Sequence, residues 1–225
     1  MRPSLFRIAA AALIVGGGLL TAGIPVAAAA PAAAQSTSEQ PSQVIESAAN
    51  GLLKALDANR AQYQHDPAKV QALVDKYVLP HIDTTFAAEL VLGRYWRTAT
   101  PQQRQRFIDA FYHSMLNNYG AAIVEFTANK LKVYPTRVSA SAKNATVRTQ
   151  MMRSSGAPVS VNYYMHMTPQ GWKAWDVVID GVSYVMSYRQ DFGSQIAKQG
   201  IDAVINRLER GEKPAQITKT TGGRS

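Results

Sequence analysis

Four histidines, His65, His81, His113 and His166, are the residues of this sequence best suited to proton transfer or metal ligation, and cysteine is absent. Asp109 and His113 stand four residues apart, a spacing that on a helix puts both on one face as an acid-base pair or two metal ligands. No nucleophile motif follows them, and HExxH, GxSxG and a phosphate-cradling glycine loop are all missing. An ion pair bracing a helix surface is the ordinary explanation of the two residues and the favoured one. His81 follows Pro80 at a helix junction, where a core or capping contact is the ordinary role. His166 shares a strand face with Asn162 and Tyr164, and with Asp176 it forms the best enzymatic constellation available. A cone-shaped α+β fold of the NTF2-like type can hold such a site, which would make the chain an exported hydrolase or isomerase.

The apolar residues suggest a different chemistry. Phe107, Phe111, Met115, Tyr119, Ile123 and Phe126 recur every three or four positions, giving one large apolar stripe along a long helix. Val159, Val161, Tyr163, Met165 and Met167 alternate with Ser160, Asn162, Tyr164 and His166, as in a strand with one apolar face. Trp175, Val177, Val182, Tyr184 and Met186 extend that face onto adjacent strands and toward the helical stripe. Methionine is flexible and polarizable, so it adapts to irregular guests such as acyl chains. A packed core and a ligand cavity produce the same periodicity.

These residues must be held by a helical half followed by a sheet. Apolar positions from Val44 to Leu56 predict an amphipathic helix starting at Pro41. Asp66-Pro67 supplies an N-cap and a proline at the first helical position, and Pro80 ends that second helix. Asp83 or Thr84 caps a short helix that Gly93 terminates, and Thr100-Pro101 opens the longest one, which Gly120 bends or splits. After Asn129 the period becomes alternating at Leu131 to Tyr134, Thr146 to Met151, Val159 to Met167, Trp172 to Ile179 and Val182 to Tyr188, before a closing helix from Asp191 to Leu208. Helices followed by strands predict an α+β fold with helices packed on one face of a curved antiparallel sheet of four to five strands.

Arg2 and Arg7 precede an apolar run from Ile8 to Leu20 and an alanine-rich stretch ending at Ala34, the order of a secretory leader. The run is shorter than the roughly 20 residues of a membrane span, and Gly16-Gly17-Gly18 weakens it as an anchor. Residues 1–34 therefore read as a signal peptide, with Ala28 to Ala30 as alternative ends, 35–40 as a flexible linker, 41–212 as a single domain and 213–225 as a disordered tail. Without cysteine, neither a lipoprotein anchor nor a disulfide is available, as suits a soluble periplasmic protein. The formal charge of +9, or +7 without Arg2 and Arg7, can attract anionic lipid or acidic proteins. Its bases are scattered. The densest group, Arg94, Arg97, Arg104 and Arg106, accompanies no nucleic-acid motif and reads as a docking patch or a solvated surface.

Two segments, 78–106 and 175–208, resemble the MlaC family of periplasmic phospholipid carriers, known also from toluene-tolerance systems. The resemblance spans Val44 to Leu208. It rests on Val78-Leu79-Pro80, on Leu92-Gly93-Arg94-Tyr95-Trp96 leading to Thr100-Pro101, and on Tyr119-Gly120. It continues through Asp176 with Gly181-Val182-Ser183, Tyr188-Arg189, Phe192 and Gly200-Ile201-Asp202; Tyr184 and Met186 are a departure that would alter pocket shape. It implies a non-enzymatic carrier without cofactor, holding phospholipid as cargo in an apolar cavity between helices and sheet. The lining would come from Phe107, Phe111, Met115, Tyr119, Val147, Met151, Val161, Tyr163, Met165, Trp175, Val177, Val182, Tyr184 and Met186. It also implies two partners, an outer-membrane lipoprotein and porin complex and an inner-membrane ABC transporter with a hexameric lipid-binding domain, to which the four arginines would dock.

Overall fold

A computed structural model describes residues 39–124, 131–152 and 157–212. The expected leader, most of the linker, the tail and Phe126 lie outside them. The helical half comprises α1 (Pro41–Ala58), α2 (Arg60–Gln64), α3 (Pro67–Tyr77), α4 (Thr84–Leu92), α5 (Arg94–Thr98) and α6 (Pro101–Val124), with a 3-10 turn at Leu79–His81. Side-chain caps start these helices where the sequence places them. Asp66 accepts the Lys69 N–H at 3.2 Å, and Asp83 accepts that of Phe86 at 2.9 Å. At α6, Thr100 and Gln103 cap each other reciprocally at 3.0 and 3.1 Å. α6 runs through Gly120 without interruption.

The strands β1 (Leu131–Val133), β2 (Asn144–Met151), β3 (Val159–Thr168), β4 (Gly171–Ile179) and β5 (Val182–Ser183) form one antiparallel sheet in sequence order. β5 is only two residues long, because helix α7 (Tyr184–Gln199) begins where alternation predicts more strand. Ser183 caps α7 by accepting the Met186 N–H at 3.0 Å, and the local capping outweighs the alternating apolar pattern of Val182 to Tyr188. Gly200, with φ +83, ends α7 and separates it from α8 (Ile201–Glu209). The expected single closing helix is therefore two, and it starts earlier.

A second correction lies inside the sheet. Tyr164 opposes Asp176, but Met165 opposes Ala174, so Trp175 has no opposite number and forms a β-bulge that shifts the register by one. Tyr163 and Met165 consequently share their side with Val177 before the bulge and with Ala174 and Trp172 after it. Trp175 leaves that side and stacks on Tyr164, with ring centroids 5.7 Å apart. The expectation that Trp175 faces the same way as Tyr163 and Met165 does not hold.

Among the described residues, three apolar clusters form. The largest is helical, joining Ala88, Val91 and Leu92 of α4, Phe107 and Ala110 of α6, Val185, Tyr188, Phe192 and Ile196 of α7, and Val204, Ile205 and Leu208 of α8. A second sets Val44 and Ile45 of α1 on Val147, Met165, Trp172 and Ala174 of the sheet. The third joins Leu52 and Leu56 to Leu73, and there Gly51 lets α1 approach Tyr77 of α3 closely, since a Cβ at 51 would lie 2.6 Å from Tyr77 Cδ1.

Candidate functional site

The aromatic stripe of α6 meets α7 in a run of ring contacts. Phe107 stacks on Phe111 at 5.6 Å, and Phe111 stands edge-on to Tyr188 at 5.3 Å and to Phe192 at 5.8 Å. Past these rings the seam becomes polar. The hydroxyls of Tyr119 and Tyr188 lie 3.1 Å apart, and the Tyr184 ring is 5.7 Å from that of Tyr119. Burial, and then the neighbouring phenol of Tyr119, push the Tyr184 hydroxyl up to about 12 and raise that of Tyr188 well above an ordinary phenol. Tyr184 and Tyr188 are therefore neutral hydrogen-bond donors at any physiological pH.

The sheet side of the interior is drier. Val147 and Met165 are fully buried and Val161 nearly so, with Tyr163 packed beside them. Thr149 satisfies its buried hydroxyl by donating to the Val161 carbonyl at 2.9 Å. Burial raises the Tyr163 hydroxyl, with the Thr149 hydroxyl opposing the rise. Met151 opposes Val159 at the sheet margin, Val177 opposes Tyr163, and Val182 opposes Ile179.

Of the expected lining residues, the structure thus groups Phe107, Phe111, Met115, Tyr119 and Tyr184 on the α6–α7 seam. It groups Val147, Tyr163 and Met165 on the sheet. Moving Tyr184 and Met186 from a strand to a helix separates them: Tyr184 turns toward Tyr119, while Met186 is 58% exposed. Tyr188, the hub of the seam, escaped the lining assignment because the same stretch read as a strand; its spacing of four from both Tyr184 and Phe192 is the helical signal that could have found it.

The His166–Asp176 dyad does not form. His166 Nε2 lies 3.0 Å from Asp83 Oδ2, and its ring stacks on Phe86 at 4.7 Å, tying β3 to the start of α4. Buried Asp176 has both oxygens engaged, Oδ2 accepting the Ser183 hydroxyl at 2.5 Å and Oδ1 the Val185 N–H at 3.0 Å. Its role is to hold β4 to α7. Asp109 accepts from Gln105 rather than from His113, and His113 is exposed. Among the described residues no group of His, Asp and Glu is arranged to hold a metal.

The four arginines divide into two pairs. Arg104 donates to the Trp96 carbonyl at 2.9 Å and lies over the Trp96 ring. Arg106 reaches Glu209 at 2.7 Å and Asp202 at 3.6 Å, clamping α6 to α8; the Glu209 hydrogen bond holds that carboxylate below its usual range. Arg94, over the Tyr95 ring with Nη2 2.6 Å from its hydroxyl, and Arg97 are exposed on α5.

Comparison with known proteins places this architecture. The chain is 26% identical over 166 residues to the toluene tolerance protein Ttg2D of Pseudomonas putida, covering 73% of this chain and 77% of that protein. It is 23% identical over 173 residues to the intermembrane phospholipid transport system binding protein MlaC of Haemophilus influenzae, covering 76% and 81%. A phospholipid-binding protein from Ralstonia solanacearum, solved in complex with a phospholipid, superposes with a TM-score of 0.71 at 24% identity, over 77% of this chain and 97% of that one, which establishes the shared fold. The family model described as MlaC protein matches residues 46–210, and on that match the chain belongs to the MlaC family.

Proposed function

We propose that this chain is a phospholipid carrier of the periplasm, not an enzyme, that moves glycerophospholipid between the two membranes and so maintains outer-membrane lipid asymmetry. The observation that carries the reading is the fold shared with a phospholipid-binding protein solved in complex with a phospholipid, beside an interior that, among the described residues, divides into one large helical cluster and two smaller ones. Acyl chains placed between α1, α6 and the sheet would join them. Each buried methylene contributes about 0.8 kcal/mol, so two chains provide ample affinity and require full shielding from water. The names of the relatives, a phospholipid transport system binding protein and a phospholipid-binding protein, support the same cargo.

In this reading Phe111, Met115, Tyr119 and Tyr184 bound the acyl chains from the helices and Val147, Tyr163 and Met165 from the sheet. Lipid is cargo, and no cofactor or nucleic acid takes part. No helix of the described residues is long and apolar enough to cross a membrane, and export would rest on the leader at residues 1–34. Arg94 and Arg97 would dock to acidic surfaces of an outer-membrane lipoprotein and porin complex and of an inner-membrane ABC transporter bearing a hexameric lipid-binding domain. Transfer of a fluorescent phospholipid from donor to acceptor vesicles tests the carrier function. Transfer that rises in proportion to protein concentration supports it, and a rate no greater than that of vesicles alone overturns it.

A further inference from the structure

We infer that the hydroxyl cluster of Tyr119, Tyr184 and Tyr188 is the polar half of the lipid site, donating hydrogen bonds to the ester carbonyl oxygens of a diacyl glycerolipid and so selecting ester-linked over ether-linked cargo. The inference rests on the phospholipid reading and names which atoms of the lipid the protein recognises.

Tyr119 shares a hydrogen bond with Tyr188, and the Tyr184 ring lies 5.7 Å from its own. That one hydroxyl-to-hydroxyl bond uses one of the three O–H protons, since each hydroxyl carries one donor and two lone pairs, and two remain for acceptors outside the cluster. The cluster sits where the ring-lined seam of Phe107, Phe111 and Phe192 gives way to polar groups, and Tyr184 directly follows β5. A diacyl lipid has the same sequence of chemistry: hydrocarbon, then two carbonyl acceptors, then headgroup. Its carbonyls leave water together with the upper ends of the chains, so they need donors inside the protein.

Charge decides which acceptor fits. The Tyr184 and Tyr188 phenols are neutral, because burial raises the pKa of both. The charged neighbour felt at Tyr188 is the carboxylate of Asp191, whose Oδ2 is buried without a hydrogen-bond partner. A negative field disfavours a phosphate or a fatty-acid carboxylate at this point. It leaves an uncharged carbonyl, which gains from neutral donors and suffers little from the nearby anion.

The test compares lipid-stripped protein with two lipids of equal chain length and headgroup, dioleoyl phosphatidylcholine and its dioleyl ether counterpart, presented as equimolar mixed vesicles and read by native mass spectrometry. The wild type should load the ester lipid about tenfold in preference. Tyr119→Phe and the triple Phe variant at 119, 184 and 188 keep the rings, so their melting curves verify the fold, and they should load both lipids equally. Equal loading by the wild type overturns the inference while leaving the carrier intact, and so does an ester preference that survives in a folded triple variant. Failure of the wild type to load either lipid overturns both the inference and the carrier.

Discussion

Asp176 Oδ2 accepts the Ser183 hydroxyl at 2.5 Å, while its Oδ1 takes the Val185 N–H at 3.0 Å. A single buried carboxylate therefore joins the penultimate strand to the helix that carries Tyr184, Tyr188 and Phe192. It also satisfies a free N–H at that helix's first turn, where negative charge is favoured. Asp176→Ala should lower stability by roughly 2–4 kcal/mol, because the paired groups are left buried without an acceptor, and Ser183→Ala by about 1 kcal/mol. Chemical denaturation of both variants measures the difference, and similar losses would contradict the dominant role of Asp176.

Gly51→Ala should destabilise, although alanine favours a helix by about 1 kcal/mol. Its Cβ would meet Tyr77 Cδ1 at 2.6 Å, and forced overpacking costs about 1–3 kcal/mol. In a Tyr77→Val background the clash is gone and the same substitution should become neutral or favourable. A double-mutant cycle by thermal denaturation reads the coupling directly.

The tyrosine seam predicts alkaline lability. A phenol raised on folding stabilises the protein fully below its unfolded pKa, and that contribution is lost as pH rises through the folded value. Tyr184 rises from 10.0 to about 12, and Tyr188 rises further. Stability should therefore be flat on this account from neutral pH to about 10 and decline above it. Phenolate absorbance should show Tyr184 and Tyr188 titrating late, and Tyr119→Phe should lower the onset for both.

Among the arginines, the contacts predict two different phenotypes. Arg94→Glu with Arg97→Glu should leave the melting temperature nearly unchanged but slow association with acidic partners about tenfold or more at low salt, an effect that fades as salt is added. Arg104→Ala should reduce stability instead, since it removes the Trp96 carbonyl bond and the stacked cation. Surface binding kinetics at two ionic strengths, with melting curves for each variant, distinguish them.

The caps were the most legible part of the fold. Asp66-Pro67, Asp83 and Thr100-Pro101 act through bonds to N–H groups three residues away, so three or four letters of sequence contain the whole interaction. The start of α7 was harder because Val182 to Tyr188 satisfies both a strand and a helix period, and the competing signal was one serine. Trp175 was illegible for a different reason. Burial on β4 alternates without a break from Trp172 to Val178, but the bulge changes which side of the sheet the buried residues face, and nothing local to β4 announces it. The site itself was half legible. Period alone collects Phe107, Phe111, Met115 and Tyr119, but their partner Tyr188 becomes visible only once α7 is known to be a helix.

In a phospholipid carrier of this fold, bound lipid joins the three apolar clusters of the described residues. Native mass spectrometry of the purified protein, followed by organic extraction of whatever is bound, tests it most directly. The account predicts a stoichiometric mass increment that extracts as glycerophospholipid and disappears in a folded Met165→Asp variant. A protein that runs at its bare polypeptide mass and remains so after incubation with phospholipid vesicles would contradict it.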